Sequence, residues 1–308
     1  MKKTLADLSE ECIFNLCIRS GQSYFGSHLS ANIGSSERHF YMDLLIKYLC
    51  LSEPTRPIRV LELGSWVGRS SVTWASAVKK YGSLNSQVIC VDAWAPIFFP
   101  SKLPEPWAQE LFAGIRQALE DDKAFHLFLH NIKSSGHSDI VSYLRMPTEQ
   151  ALRLFAHESF DLVYIDADHS YAAVNRDIEM SKHLVKQGGL IAGDDLELQC
   201  KDVDLKNARA AADMDYIVDP KTQKSFHPGV TLAVYDQLGV VSSWAGCWAM
   251  RKISNENWSQ IVLPEFSHIE KIPHLDRSRH DIIETGRLYA EKVGDQQLKN
   301  FLADLVSY

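Results

Sequence analysis

Four short apolar runs, each closing on glycine or aspartate, constrain this chain most: VLELG at residues 60–64, VICVD at 88–92, LVYID at 162–166 and GLIAGDD at 189–195. Runs of this length, apolar at nearly every position, suit strands buried on both faces. Between them the period changes, and residues 69–81, 107–120, 148–156 and 172–185 carry the spacing of helices. Strand and helix in alternation predict repeated βα units around a mostly parallel sheet. Residues 124–129 read as a further extended segment, 138–144 as short and ambiguous, 228–238 as a helix and 240–251 as a final extended pair or long strand.

Both ends read as helical. Phe40, Leu44, Leu45, Tyr48 and Leu49 place an apolar stripe on residues 37–51, with Ser35 or Ser36 able to cap its start. Residues 282–308 form the second helical end, whereas 196–226 loosen into polar sequence. The alternation runs through most of the chain, so one main domain with additions is expected: an N-terminal cap or lid over 1–57, a core over 58–251 with 196–226 inserted on its substrate side, and a C-terminal extension over 252–308. The helical ends are also candidate surfaces for a homo-oligomer.

Charge and cysteine usage narrow the functional classes. Asp and Glu number 39 against 32 Lys and Arg, for a formal charge of −7, which speaks against nucleic acid as the first partner. No apolar run is long enough to span a bilayer, and the early acids Asp7, Glu10 and Glu11 do not suit a signal peptide. The six cysteines form no CxxC pair, and Cys90 lies inside an apolar run where a thiol packs as a small hydrophobe. A cytoplasmic enzyme with reduced cysteines is expected.

The turn Glu62-Leu63-Gly64-Ser65-Trp66-Val67-Gly68 stands where the first strand passes into a helix. Its glycines permit tight geometry and close approach of a ligand, and the following helix offers free N–H groups with the hydroxyls of Ser70 and Ser71. The spacing is neither GxGxxG nor a phosphate loop. Asp92 ends the second strand at the same rim, suitably placed for ribose hydroxyls. Glu62 could bind an ammonium group or orient the turn.

Asp166 ends the LVYID strand, and Asp194 and Asp195 end the next one. Three carboxylates at one rim require protons, hydrogen bonds or a cation, and a hard divalent ion such as Mg²⁺ suits an all-oxygen set. Asp166, Asp194 and Asp195 are therefore the expected metal ligands. His169, three residues past Asp166, is the expected base for a substrate hydroxyl, with His227 as a second candidate. Ser170 is placed to cap the next helix. Trp94, Phe98, Phe99 and Trp107 could wall a substrate pocket or pack in the core.

Taken in order, VLELGSWVGRS, VICVDAW, DLVYIDADHSYAAVNRDI and LVKQGGLIAGDD resemble the motifs of class I S-adenosylmethionine-dependent methyltransferases. The closest likeness is to bacterial Mg-dependent O-methyltransferases of small molecules and sugars. That resemblance implies a Rossmann-like, seven-stranded, mostly parallel sheet with helices on both faces. It implies that Glu62, Gly64, Ser65, Gly68 and Ser70 line the methionine and ribose part of S-adenosylmethionine, that Asp92 holds the ribose, and that Asp166 serves cofactor, metal and catalysis together. It also places Asn131 in the loop after the third strand and Thr148 on the adenine side. The implied reaction is methylation of a small-molecule or sugar hydroxyl. A dinucleotide-dependent oxidoreductase, a hydroxylase and a non-catalytic cofactor-binding protein are the competing readings.

Overall fold

The computed structural model describes residues 9–51, 56–96, 106–263 and 270–306. Two helices come first, α1 (Glu10–Arg19) and α2 (Ser36–Cys50). The alternating core follows as β1 (Arg59–Leu63), α3 (Arg69–Tyr81), β2 (Gln87–Asp92), α4 (Pro106–Leu119), α5 (Lys123–Ser134), β3 (Val141–Arg145), α6 (Thr148–Ala151), β4 (Phe160–Ile165), α7 (Tyr171–Leu184) and β5 (Val185–Gly193). Beyond it lie α8 (Leu205–Ala210), a small hairpin of β6 (Ile217–Val218) and β7 (Ser225–Phe226), α9 (Pro228–Leu238), β8 (Ser242–Trp244), β9 (Cys247–Lys252) and β10 (Trp258–Gln260). The described chain closes with α10 (Arg279–Val293) and α11 (Gln296–Val306).

The main sheet runs β10-β9-β5-β4-β1-β2-β3, with β8 also paired to β9. β3, β2, β1, β4 and β5 are parallel, and β9 joins β5 antiparallel. The mostly parallel sheet agrees with expectation, while its eight strands among the described residues exceed the seven expected, because β8 and β10 both pair with β9.

Side chains alternate across the sheet and build a core on each face. Val60, Cys90, Leu162, Tyr164 and Ala192 join Phe40, Leu45, Trp74 and Phe128 on one side. Leu61, Leu63, Val91, Val163 and Ile165 join Val174, Ile178 and Val234 on the other. β4, between β1 and β5, is buried along its whole length. No helix among the described residues is long and apolar enough to cross a membrane.

The segment expected as extended at 124–129 is instead the first half of α5. Its buried residues are Ala124, Leu127, Phe128, Asn131 and Ile132, a helical spacing that a six-residue window is too short to display. The third strand falls on the segment that read as ambiguous, at Val141–Arg145.

Candidate active site

The register of the parallel strands puts the strand-end residues in one row. Leu63 pairs with Val91 on one side and with Ile165 on the other, and Ile165 pairs with Gly193. The next residue on each strand is therefore Asp92, Gly64, Asp166 and Asp194 in spatial order. β1 has β2 on one side and β4 on the other, so the connections diverge and leave a crevice at the carboxyl ends. Gly64, at φ +85°, sits at its centre, and a Cβ there would overlap the Asp166 carbonyl.

Asp92 organises the turn beside it. One carboxylate oxygen accepts from the backbone N–H of Ser65 (3.0 Å) and Trp66 (2.9 Å), and the other from that of Trp94 (2.7 Å). Three acceptor directions are thus spent on the protein, leaving little more than one for a ribose hydroxyl. Burial pushes its pKa up, and the three N–H groups pull against that rise. Trp66 takes φ +47°, an uncommon conformation for a bulky residue, and is held there by this bond and by its indole N–H on Ser30 O (3.0 Å). The Trp94 indole closes the loop by donating to Trp66 O (2.6 Å). Trp94 otherwise packs on Phe125 and Phe128, so core packing is its observed role. Phe98 and Phe99 lie outside the described residues, as does the Trp107 side chain.

Glu62 lies beneath the turn with no exposure, where the Ser71 hydroxyl donates to it and burial raises its pKa. Among the two expected roles, this position suits orienting the turn. Ser65 is buried beside it, and Ser70 stands partly exposed on the first turn of α3. Gly68 begins that helix at φ +85°.

One expected cofactor residue, Asn131, lies elsewhere than foreseen. Asn131 is not in the loop after the third strand, because that region is helical; it is buried in α5, bonding Tyr24 N–H (2.8 Å), Tyr24 O (3.0 Å) and Val67 O (2.9 Å). It braces the turn from behind. Thr148 does follow β3, but its hydroxyl donates to Asp177 (2.9 Å), whose pKa burial pushes up to about 6. Ser170 makes no side-chain cap; Asp168 instead accepts the Ser170 N–H (2.7 Å).

The acids beyond the crevice meet both expected histidines together with three residues that no sequence motif marks, Arg38, Glu197 and Asp215. Arg38, from α2, points one guanidinium nitrogen between Asp194 (2.8 Å) and Asp195 (2.6 Å) and the other at Glu197 (2.8 Å). His169 lies between Asp195, 2.9 Å from Nε2, and Asp215, 2.8 Å from Nδ1. His227 bonds Glu197 (3.0 Å), and the two imidazole centroids are 4.7 Å apart. Glu197 and Asp215 come from the insertion, which has its own small core of Leu198, Cys200, Val203, Ala208, Phe226 and Leu232.

The charge states follow from this packing. Burial, then Asp194 and Asp195, hold Asp166 well above the usual carboxylate range, favouring its neutral form. Burial and the neighbouring Asp195 raise Asp194 to about 6. Burial also opposes the charge on Asp195, but His227, His169 and Arg38 outweigh it and keep that carboxyl well below the usual range. For His169, burial is overcome by Asp195 and Asp215, which raise the imidazole well above its ordinary value. A carboxylate flanking each ring nitrogen thus favours the imidazolium over the free base expected there.

A cavity of about 10 Å³ lies among Asp166, Asp168, His169, Asp194 and Asp195, roofed by Val174, Val230 and Trp248. That is roughly the room one water occupies. The Asp194 Oδ1 atom is buried and has no partner. Asp166, His169 and Asp195 bring donor atoms within 4.8 Å of one another, as do Asp195, Glu197 and His227, and His169, Asp215 and His227. Asp194 is in none of these three groups; the acid-lined, ion-sized cavity fits a small divalent cation through Asp166, His169 and Asp195.

Residues 61–196 match the family of methyltransferase domains. None of the curated proteins matches this sequence. Among solved structures, a candidate O-methyltransferase from Klebsiella pneumoniae is 14% identical, with 85% of this chain and 92% of that chain covered at a TM-score of 0.45. The O-methyltransferase from Bacillus cereus in complex with SAH is 15% identical, with 79% and 91% covered at a TM-score of 0.42.

Proposed function

We propose, from the match of residues 61–196 to the family of methyltransferase domains, that this chain is an S-adenosylmethionine-dependent O-methyltransferase of class I acting on a hydroxyl of a small molecule or sugar with the help of a divalent cation. One observation carries the reading: the Gly64 turn abuts Asp166, so the cofactor crevice and the acid-lined cavity share a wall. A methyl donor at the first and a hydroxyl at the second would be neighbours. Residues 1–57 are read as the cap, 58–251 as the catalytic core and 252–308 as an extension. The six free cysteines are in keeping with a cytoplasmic setting.

The turn from Gly64 to Gly68, with Ser65, Ser70 and Asp92, would seat S-adenosylmethionine, Asp92 acting chiefly through the loop it pins. Asp166, Asp194 and Asp195 would hold the cation, whose chemistry is to polarise a bound hydroxyl and ease its deprotonation. His169 is assigned the departing proton. To accept it the imidazole must first be neutral, and Asp215 on Nδ1 then leaves Nε2 as the basic atom facing the site. The hydroxyl oxygen forms its bond to the methyl carbon as the sulfur–methyl bond breaks, leaving S-adenosylhomocysteine. Fixing both reactants in one crevice supplies much of the acceleration.

The test is incubation with S-adenosylmethionine, Mg²⁺ and a panel of phenols, catechols and sugar nucleotides, followed by mass spectrometry. A product heavier by one methylene unit, lost with chelator and in the double variant Asp194→Ala/Asp195→Ala, is expected. Chelator-insensitive methylation would remove the cation from the scheme; hydride transfer from a nicotinamide cofactor without methylation would replace the reading altogether.

A further inference from the structure

Arg38 reaches the site from outside the matched domain and makes four contacts there. Its Nη1 lies between Asp194 and Asp195, Nη2 meets Glu197, and Nε donates to Ala245 O at 2.9 Å. The side chain is only 13% exposed. Passage of the guanidinium depends on Gly246, where a Cβ would press on it at 2.8 Å. Burial works against the charge, but Asp194 and Asp195 more than compensate and raise the Arg38 pKa, so the cation is permanent.

The same two carboxylates face the ion-sized cavity. Asp194, which lines the cavity, spends Oδ2 on Arg38 and leaves Oδ1 buried and without a partner among the described residues. Asp195 likewise gives Oδ1 to Arg38 and turns Oδ2 to His169, which also lines the cavity. A divalent ion bound there would share both carboxylates with a guanidinium nitrogen, and two cations drawing on one pair of acids repel each other strongly where water is scarce.

Resting on the cation reading above, we propose that Arg38 is the resident counter-ion of the Asp194–Asp195 pair and competes with the divalent ion for it. Loading the site requires Nη1 to release the pair, while Nη2 and Nε retain Glu197 and the Ala245 carbonyl as a pivot. α2 thereby supplies a residue that sets cation affinity, and without the ion Arg38 keeps adjacent buried acids from destabilising the fold. Replacing it by an uncharged side chain of similar length frees the acids for the ion and exposes their repulsion when the ion is absent.

The experiment is Mn²⁺ titration of the full chain, by calorimetry and by electron paramagnetic resonance, for the native protein, Arg38→Met and Arg38→Lys, with thermal denaturation in chelator and in Mn²⁺. Arg38→Met is expected to bind Mn²⁺ at least about tenfold tighter, to melt earlier than the native protein in chelator, and to recover with Mn²⁺. Arg38→Lys keeps the charge but cannot span all four acceptors, so its affinity should fall between the two. It also serves if the Met variant does not fold. Equal Mn²⁺ affinity in native and variant proteins overturns the competition while leaving the cation reading intact; weaker binding in the variants makes Arg38 a support for the ion instead. Absence of Mn²⁺ binding in every form overturns both.

Discussion

Gly64 and Asp166 meet backbone to backbone where the strand order reverses, and a Cβ on residue 64 would overlap the carbonyl of residue 166. The residue also holds φ +85°, so alanine is disfavoured twice, by conformation and by space. Gly64→Ala should cost about 1–3 kcal/mol of stability and push the turn away from Asp166. Chemical denaturation and calorimetry with S-adenosylmethionine check this; a variant with native stability and native affinity would show that the close approach is dispensable.

Asp92 accepts three backbone N–H groups, and substitution leaves some of them unpaired. Asp92→Asn retains the size but turns an NH₂ toward at least one donor. A loss of about 1–3 kcal/mol is expected, seen as roughly ten- to hundredfold weaker S-adenosylmethionine binding by calorimetry. Because the acid acts through the loop, S-adenosylhomocysteine should lose affinity equally. A defect confined to ligands with an intact ribose would instead assign Asp92 the hydroxyls.

His274 and His39 predict an acid-labile seam between the C-terminal segment, α2 and α3. Burial pulls His274 down to about 4 and His39 well below its ordinary value, and the rings share Thr73 Oγ1 at 3.1 and 2.7 Å. A folded pKa below the unfolded one contributes stability above the unfolded value near 6.5 and loses it as pH falls toward 4. For His274 this amounts to about 3 kcal/mol, and urea denaturation midpoints should drop across that window. His274→Gln should flatten the drop; an unchanged profile would locate the acid sensitivity elsewhere.

His169 and Asp215 predict a kinetic separation. His169→Ala should lower kcat by about 10²–10⁴-fold, with cofactor affinity retained, since the ring's partners are Asp195 and Asp215. Asp215→Asn removes one of the two carboxylates that favour the protonated imidazole, so the rising, acidic limb of the pH–kcat profile should move to lower pH. A profile that does not move would take His169 out of the proton transfer.

Much of the framework was legible in local pattern. The strands ending at Leu63, Asp92, Ile165 and Gly193 announced themselves because each is apolar at almost every position, as burial on both faces of a parallel sheet demands. Strand direction then placed Gly64, Asp92, Asp166 and Asp194 at one rim. α5 escaped because its apolar residues cluster too densely for a short window to separate helix from strand, and Asn131 was misplaced with it.

What only the tertiary structure decided is the charge state of the rim. That Asp166, Asp194 and Asp195 need protons, hydrogen bonds or a cation was evident from the sequence, but a guanidinium from residue 38 as part of that compensation was not, because no local period connects α2 to a strand end more than a hundred residues away. The two carboxylates that favour the imidazolium form of His169 likewise come from the end of β5 and from the insertion, and only folding brings them together. Backbone periodicity is a short-range property that sequence carries directly; a buried charge takes its state from whichever opposite charges packing delivers within a few ångströms, and that is settled only in three dimensions.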